Sequence, residues 1–356
     1  MNGLNNPIGY KSNQPLEKPF IMNPFRFGVG EVGAWKEVGR TILPSNTANI
    51  DVTGIADKKY YMILQNFSPS TGSGNPYFKI NNDVGTNFAT RYSRNGGTDG
   101  TIVNSSAGWF AGNISNTNKP FFIVSYVSNL SSKEKLGIQS MVNQNTAGSG
   151  TAPNRGEVVG KWSNTSDVIS EFNVNGNGVD ISAGGECVVL GWDPTDTHST
   201  DDNFWQELDD STWSSGDSWT SGTFTAKKYL WVQFYSTSSG GSNYFRFNGD
   251  SGTNYANRYS INGATDSTIG TQPESYLGAI DGLSFNNVFI VNTSSNEKLL
   301  IADRVSRSTA GSATSPTRME SVGKWANTSS QITSITVTTA GGGSFTSGQM
   351  KVWGHD

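Results

Sequence analysis

Two short loops carry the residues best placed for chemistry, Asn82-Asp-Val-Gly-Thr-Asn87 and Gly249-Asp-Ser-Gly-Thr-Asn254. Each sets side-chain oxygens at alternating positions, as a calcium loop does. A calcium site takes about six to eight oxygens, several from carboxylates. Each loop supplies one, Asp83 or Asp250, with no glutamate closing its far end. An Asx-type turn, in which the aspartate accepts from backbone two residues on, explains the same residues more simply. The loops read as turns, with no metal and no cofactor.

The remaining polar pairs are equally economical. Arg91 and Asp99 recur as Arg258 and Asp266, and Arg155-x-Glu157 recurs as Arg318-x-Glu320. Residues two apart on a strand point to one face. Paired carboxylates serve glycoside hydrolysis, but no nucleophile–base set accompanies these residues, so they read as ion pairs fixing strand register or charging a sheet edge. A Ser-His-Asp triad needs a histidine among the repeated elements. His198 and His355 have no counterparts in the other copy, and Cys187 sits in the apolar run Cys187-Val-Val-Leu190 as a small core residue. The chain reads as a non-enzyme with no catalytic residues.

Ten tryptophans remain to be placed. Trp35, Trp162 and Trp192 end apolar segments, and Trp205 and Trp325 match the first two, which suits core anchors. Trp213 and Trp219 lie in the polar stretch 211–221, and Trp109 in another. Aromatic faces on loops can stack on sugar rings, so Trp109, Trp213 and Trp219 are the glycan-binding candidates. Packing against a neighbouring subunit accounts for them equally well.

The elements that must position these residues come from an internal repeat. Tyr77–Gly96 (YFKINNDVGTNFATRYSRNG) reappears as Tyr244–Gly263 (YFRFNGDSGTNYANRYSING). Thr146-Ala-Gly-Ser149 and Gly160-Lys-Trp162 return as Thr309-Ala-Gly-Ser312 and Gly323-Lys-Trp325. Each copy is long enough to bury its own core. The chain therefore divides into an extended N-terminal arm (1–33), copy one (34–193), a polar, acidic linker (194–203) and copy two (204–356).

Composition sets the class. Gly is abundant (42 residues), charged residues make up 15% and aromatics 11%. Chains without a core are charge-rich and aromatic-poor, and strands favour the Thr, Val, Ile and aromatics found here. Short apolar runs such as Tyr60-Tyr-Met-Ile-Leu64 alternate with turn clusters, and Asn95-Gly96 and Asn262-Gly263 suit tight hairpins. Roughly eight to ten strands per copy fit a sandwich or jelly roll. The expected fold is all-β: two tandem, jelly-roll-like β-sandwiches joined through a modest interface. A net charge of −4 argues against a nucleic-acid partner. No apolar run approaches the roughly 20 residues that span a bilayer, and residues 1–9 lack the features of a secretory signal.

The blocks Asn23-Pro-Phe-Arg-Phe-Gly28, Trp35-Lys-Glu-Val-Gly-Arg-Thr41, Asn81–Gly96 and Gly160–Thr165 resemble structural proteins of tailed phages and marine viruses. Copy two departs from the pattern: it lacks the Gly39-Arg-Thr41 element and has Leu208-Asp-Asp210 after Trp205. The resemblance implies a virion location, a structural role on the particle surface such as head decoration or an adaptor, and no catalytic residues to carry over. Expected partners are other capsid or tail proteins and further copies of the chain. The second reading is a tail-associated receptor- or glycan-binding protein that meets a host-surface glycan through its loop aromatics.

The arm is the expected attachment device. Pro7, Pro15, Pro19 and Pro24 rule out a long helix or central strand. Phe20, Ile21, Met22, Phe25, Arg26 and Phe27 then supply apolar surface and one cation that a proline-broken segment cannot bury by itself.

Overall fold

The computed structural model describes residues 35–71, 75–111, 119–196, 202–279, 282–307 and 309–356. The arm, His198 and the middle of the linker lie outside them. Every element among the described residues is a strand, and every pairing between strands is antiparallel. Copy one holds an eight-stranded sheet in the order β1 (Lys36–Ile42), β12 (Glu186–Trp192), β3 (Tyr60–Phe67), β8 (Phe121–Ser128), β9 (Lys135–Asn143), β10 (Asn154–Trp162), β5 (Phe88–Arg94), β6 (Gly100–Ser105). Its four-stranded partner runs β2 (Asn49–Thr53), β11 (Glu171–Asn175), β4 (Tyr77–Ile80), β7 (Trp109–Phe110).

Copy two repeats this order. Its larger sheet is β13 (Gln206–Trp213), β24 (Phe345–His355), β15 (Tyr229–Ser238), β20 (Gly282–Val291), β21 (Lys298–Arg307), β22 (Thr317–Trp325), β17 (Tyr255–Ile261), β18 (Ser267–Gln272). The smaller is β14 (Ser218–Thr220), β23 (Ile335–Ala340), β16 (Ser242–Phe247), β19 (Ser275–Ala279). Among the described residues no sheet mixes strands of the two copies. The strands in each copy outnumber the eight to ten expected, and the division into eight and four departs from the eight strands of a jelly roll.

Alternation along the strands builds the layers. In β3, Tyr61, Ile63 and Phe67 face the four-stranded sheet and share a core with Phe78, Phe172 and Val174. Leu230, Val232 and Phe234 do the same in copy two with Phe245, Ile335 and Val337. The intervening residues face the other way. Met62 and Leu64 join Phe122, Val124, Val188 and Leu190 in a third cluster with Trp205, Tyr229, Trp231, Phe289 and Trp353 of copy two. The two eight-stranded sheets thus pack on each other, and the molecule has four layers. This overturns the expected modest interface: the uninterrupted runs Tyr60–Leu64 and Cys187–Leu190 are strands buried on both faces, which need no polar alternate residue.

Charge pins the joint between the copies. Glu186 of copy one is fully buried; it accepts from Arg40 Nη1 at 2.9 Å and from the Tyr229 hydroxyl at 2.6 Å, and it pairs with Lys228. Burial, then the Glu186 charge, raises the Tyr229 phenol well above its ordinary value, so it remains a donor. The described linker ends are also tied down. Asp196 meets Lys58 Nζ at 2.6 Å, and the Phe204 N–H donates to the Trp35 carbonyl at 2.8 Å.

The expected hairpin chemistry is present. Asn95 and Gly96 take φ of 50° and 68°, and Asn262 and Gly263 take 53° and 74°. These left-handed values suit Asn and Gly. Each asparagine side chain also accepts a backbone N–H across the sheet, from Arg155 and Arg318, both at 2.9 Å.

Candidate functional site

The aspartate loops are the turns the spacing predicts. Asp83 Oδ1 accepts the Gly85 N–H at 2.7 Å, and its Oδ2 accepts Asn87 Nδ2 at 2.8 Å and Trp162 Nε1 at 2.6 Å. In copy two Asp250 accepts from Gly252 at 2.8 Å, Asn254 at 2.9 Å and Trp325 at 2.7 Å. The motif therefore joins the D-x-G-x-N loop to the tryptophan of G-K-W, far away in sequence. Partial burial pushes the Asp83 carboxyl up, but the donors Asn87, Trp162 and Gly85 outweigh it and hold it below its ordinary 3.8. A depressed carboxyl stabilises the fold above its unfolded value and stops doing so as pH falls through its folded one. Asp83→Asn is expected to lose about 1–2 kcal/mol at pH 7. That deficit against the parent should shrink at pH 3 in paired chemical melts; an equal deficit at both pH values would contradict the assignment.

With both carboxylate oxygens held by donors, a cation would have to displace an indole and an amide. EDTA is accordingly expected to leave the melting temperature unchanged. A fall of several degrees, restored by calcium, would overturn the turn reading.

The charged pairs separate into two kinds. Arg91 and Asp99 form an exposed pair at 3.5 Å, and Arg155–Glu157 and Arg318–Glu320 pair along their strands. Copy two's Arg258 and Asp266 do not pair with each other. Asp266 meets Arg155 Nη2 of copy one at 2.6 Å, and Arg258 Nε donates to the Pro153 carbonyl at 2.8 Å. Burial disfavours the Arg155 charge, but the Asp266 bond together with the Glu157, Asp266 and Glu320 charges more than compensates and keeps it ionised. Residues at matching places in the repeat thus serve solvent in one copy and the joint in the other.

Two of the glycan candidates are corrected. Trp109 is 1% exposed and Trp213 5% exposed, leaving no face for a sugar. Glycines make the room: a Cβ at Gly137 or Gly160 would overlap the Trp109 ring, and one at Gly348 would overlap Trp213. Trp219 is partly buried, stacked on Trp213 at 5.4 Å with its Nε1 donating to the Ser215 carbonyl at 3.2 Å. The three rings do not share a surface. Cys187 is buried and its thiol is raised by burial, as a core residue's would be. His355 stacks on Phe204 at 4.3 Å.

The feature the sequence did not disclose is an open apolar groove of about 790 Å³ on the outer face of copy one's larger sheet. Its floor is Val103, Leu136, Ile138 and Val159, all exposed, and Trp35, Tyr60, Tyr126 and Trp192 close one end. Trp35 meets Trp192 at 6.1 Å and Tyr126 at 6.4 Å. Arg91 and Lys161 stand among the lining residues. In β9 alternation by itself would send Leu136 and Ile138 inward. The reverse holds in both copies, since Leu299 and Ile301 also face outward with Leu300 in the inner core; in copy one the inner position is Gly137, which makes room for Trp109. Leu136, Ile138 and Val159 have identical counterparts in copy two, Leu299, Ile301 and Val322, which was the signal available in the repeat, whereas Val103 is matched by Gly270.

No protein-family model and no curated protein matches the chain. Among solved structures it is similar to the attachment invasion locus protein Ail of Yersinia pestis, at 7% identity and a TM-score of 0.14, covering 76% of this chain and 98% of that one. It is also similar to human GIVD cytosolic phospholipase A2, at 7% identity and a TM-score of 0.13, covering 76% of this chain and 33% of that one. Likenesses this distant carry no argument about the fold or the function.

Proposed function

We propose that the chain is a non-enzymatic structural protein on the outside of a phage particle, of head-decoration or adaptor type, made of two tandem sandwich modules and held through its N-terminal arm. The observation that supports this reading best is the joint between the copies. An apolar layer with Glu186 and Arg155 bonded across it makes the two copies one block, as a load-bearing subunit requires, while an apolar groove is left for assembly. The sequence resemblance supplies the phage context. In the arm, Phe20, Ile21, Met22, Phe25, Arg26 and Phe27 are the residues assigned to the partner on the particle. The receptor- or glycan-binding alternative retains only Trp219 as a partly exposed ring.

Deleting residues 1–30 tests the attachment. The truncated chain is expected to melt near the parent temperature and to be absent from purified particles. Normal incorporation would refute arm-mediated attachment. Labelling on intact virions by cryo-EM would then separate head from tail.

A further inference from the structure

The repeat lets each surface of one copy be compared with its counterpart in the other. Leu299, Ile301 and Val322 are 0%, 3% and 1% exposed, in one cluster with Phe122, Val124 and Val142 of copy one. Their counterparts Leu136, Ile138 and Val159 are 55%, 62% and 49% exposed and floor the groove. Unlike surfaces of two like bodies therefore meet in the joint, which is heterologous. Met62 and Leu190 of copy one and their counterparts Trp231 and Trp353 of copy two share the centre of the joint, and what it leaves unused is one flank of each kind: the groove on copy one and, on copy two, the flank matching Phe122 and Val142.

That second surface keeps much of what makes the internal joint. Phe285 and Val305 stand where Phe122 and Val142 do, with Val305 43% exposed. The loop Thr146-Ala-Gly-Ser149 of copy one latches copy two. The Gly148 N–H donates to Glu297, Ser149 Oγ donates to the Thr253 carbonyl at 2.6 Å, and Lys324 Nζ donates to the Thr146 and Gln144 carbonyls. Copy two carries the identical tetrad Thr309-Ala-Gly-Ser312, exposed. The receiving residues are also duplicated on copy one, where Glu134 and Lys161 match Glu297 and Lys324 and pair with each other in solvent at 3.3 Å. Finally, Arg318 and Asp99, the counterparts of the bonded Arg155 and Asp266, are both exposed.

We propose that the occupant of the groove is a second copy of this chain, docked head to tail so that the flanking contacts of the joint within the chain, though not its shared centre, are repeated between chains. Copy two of one molecule covers copy one of the next. Phe285 and Val305 meet the floor of Leu136, Ile138 and Val159; Thr309–Ser312 reaches Glu134 and Lys161; and Arg318 pairs with Asp99. The contact is weaker than the internal one, because Asn287, Lys351 and Gln349 replace Val124, Val188 and Glu186. Association is therefore reversible and concentration-dependent, and it makes an open chain or a ring according to the rotation per step. The inference rests on the reading of the protein as an assembly subunit and names its self-partner.

Sedimentation of the full chain over a wide concentration range tests it. A monomer should give way to a series of oligomers. Ile138→Asp and Arg318→Asp alter exposed side chains, so melting should stay near the parent while association weakens by about tenfold or more, roughly 1.4 kcal/mol. Mixing the two variants should restore a one-to-one dimer, since each retains the surface the other lacks. The charge exchange Asp99→Arg with Arg318→Asp should recover part of the affinity. A strictly monomeric chain, or a dimer that the mixture cannot complement, overturns the proposal. So does association that appears only after residues 1–30 are deleted, which would assign the groove to the arm. Incorporation of the arm-deleted chain into particles reports on the attachment reading separately, so either can fail while the other holds.

Discussion

Replacing Trp231 by alanine is expected to be among the most destabilising single changes, at about 3–5 kcal/mol. Trp231 lies at the centre of the layer between the two large sheets, 2% exposed. It stacks on Phe289 at 5.4 Å and meets Trp353 at 5.3 Å and Trp205 at 5.6 Å, and its Nε1 donates to Asn287 at 2.6 Å. The cavity would border both copies, so neither could collapse into it without moving the other. The parent is expected to melt in one cooperative transition, and the variant roughly 5–10 °C lower, on the usual scaling of melting temperature with stability. Val305→Ala, on the exposed part of the same face, should change stability by no more than about 0.5 kcal/mol. A Trp231→Ala loss below about 1 kcal/mol in urea melts would mean that the joint contributes little and that the copies are stable independently.

Glu186→Ala is the second large effect. The carboxylate is fully buried beneath Arg40, Lys228 and Tyr229, and its removal strands two cations and a phenol in the joint. Breaking such a pair from one side destabilises by about 3–5 kcal/mol. Replacing both Glu186 and Lys228 by methionine removes two of the charges together and should recover much of the loss, since apolar replacement of a buried pair is often neutral. Urea melts of the parent, the single variant and the double variant provide the comparison. A double variant as unstable as Glu186→Ala would show that packing around the carboxylate, rather than its charge, sets the cost.

The sequence by itself determined the class and the duplication. Turn chemistry at Asn95-Gly96 and Asn262-Gly263, the Asx loops at Asp83 and Asp250, and period-two segments such as Phe172 and Val174 are local. Their physics lies in φ, in hydrogen bonds two residues long and in which face a side chain takes, and the structure agrees at each. The tryptophans were legible as anchors wherever an apolar run ended on one. They misled where a ring stood in polar sequence, because the room for Trp109 comes from Gly137 and Gly160 on strands distant in sequence.

The joint and the groove were decided only by tertiary structure. Leu136 and Leu299, Ile138 and Ile301, Val159 and Val322 are identical pairs of residues in matching strands, yet one set is buried and the other bare. No local propensity distinguishes them. What distinguishes them is that an offset contact between two similar bodies shares its centre, where Met62 and Leu190 lie with Trp231 and Trp353, and covers a different flank on each, leaving the other flank open. The same asymmetry sends Asp266 to Arg155 across the joint while Asp99 remains in solvent beside Arg91. Residue type fixed what each surface can bind, and the placement of one copy on the other fixed which surface remains free to bind it.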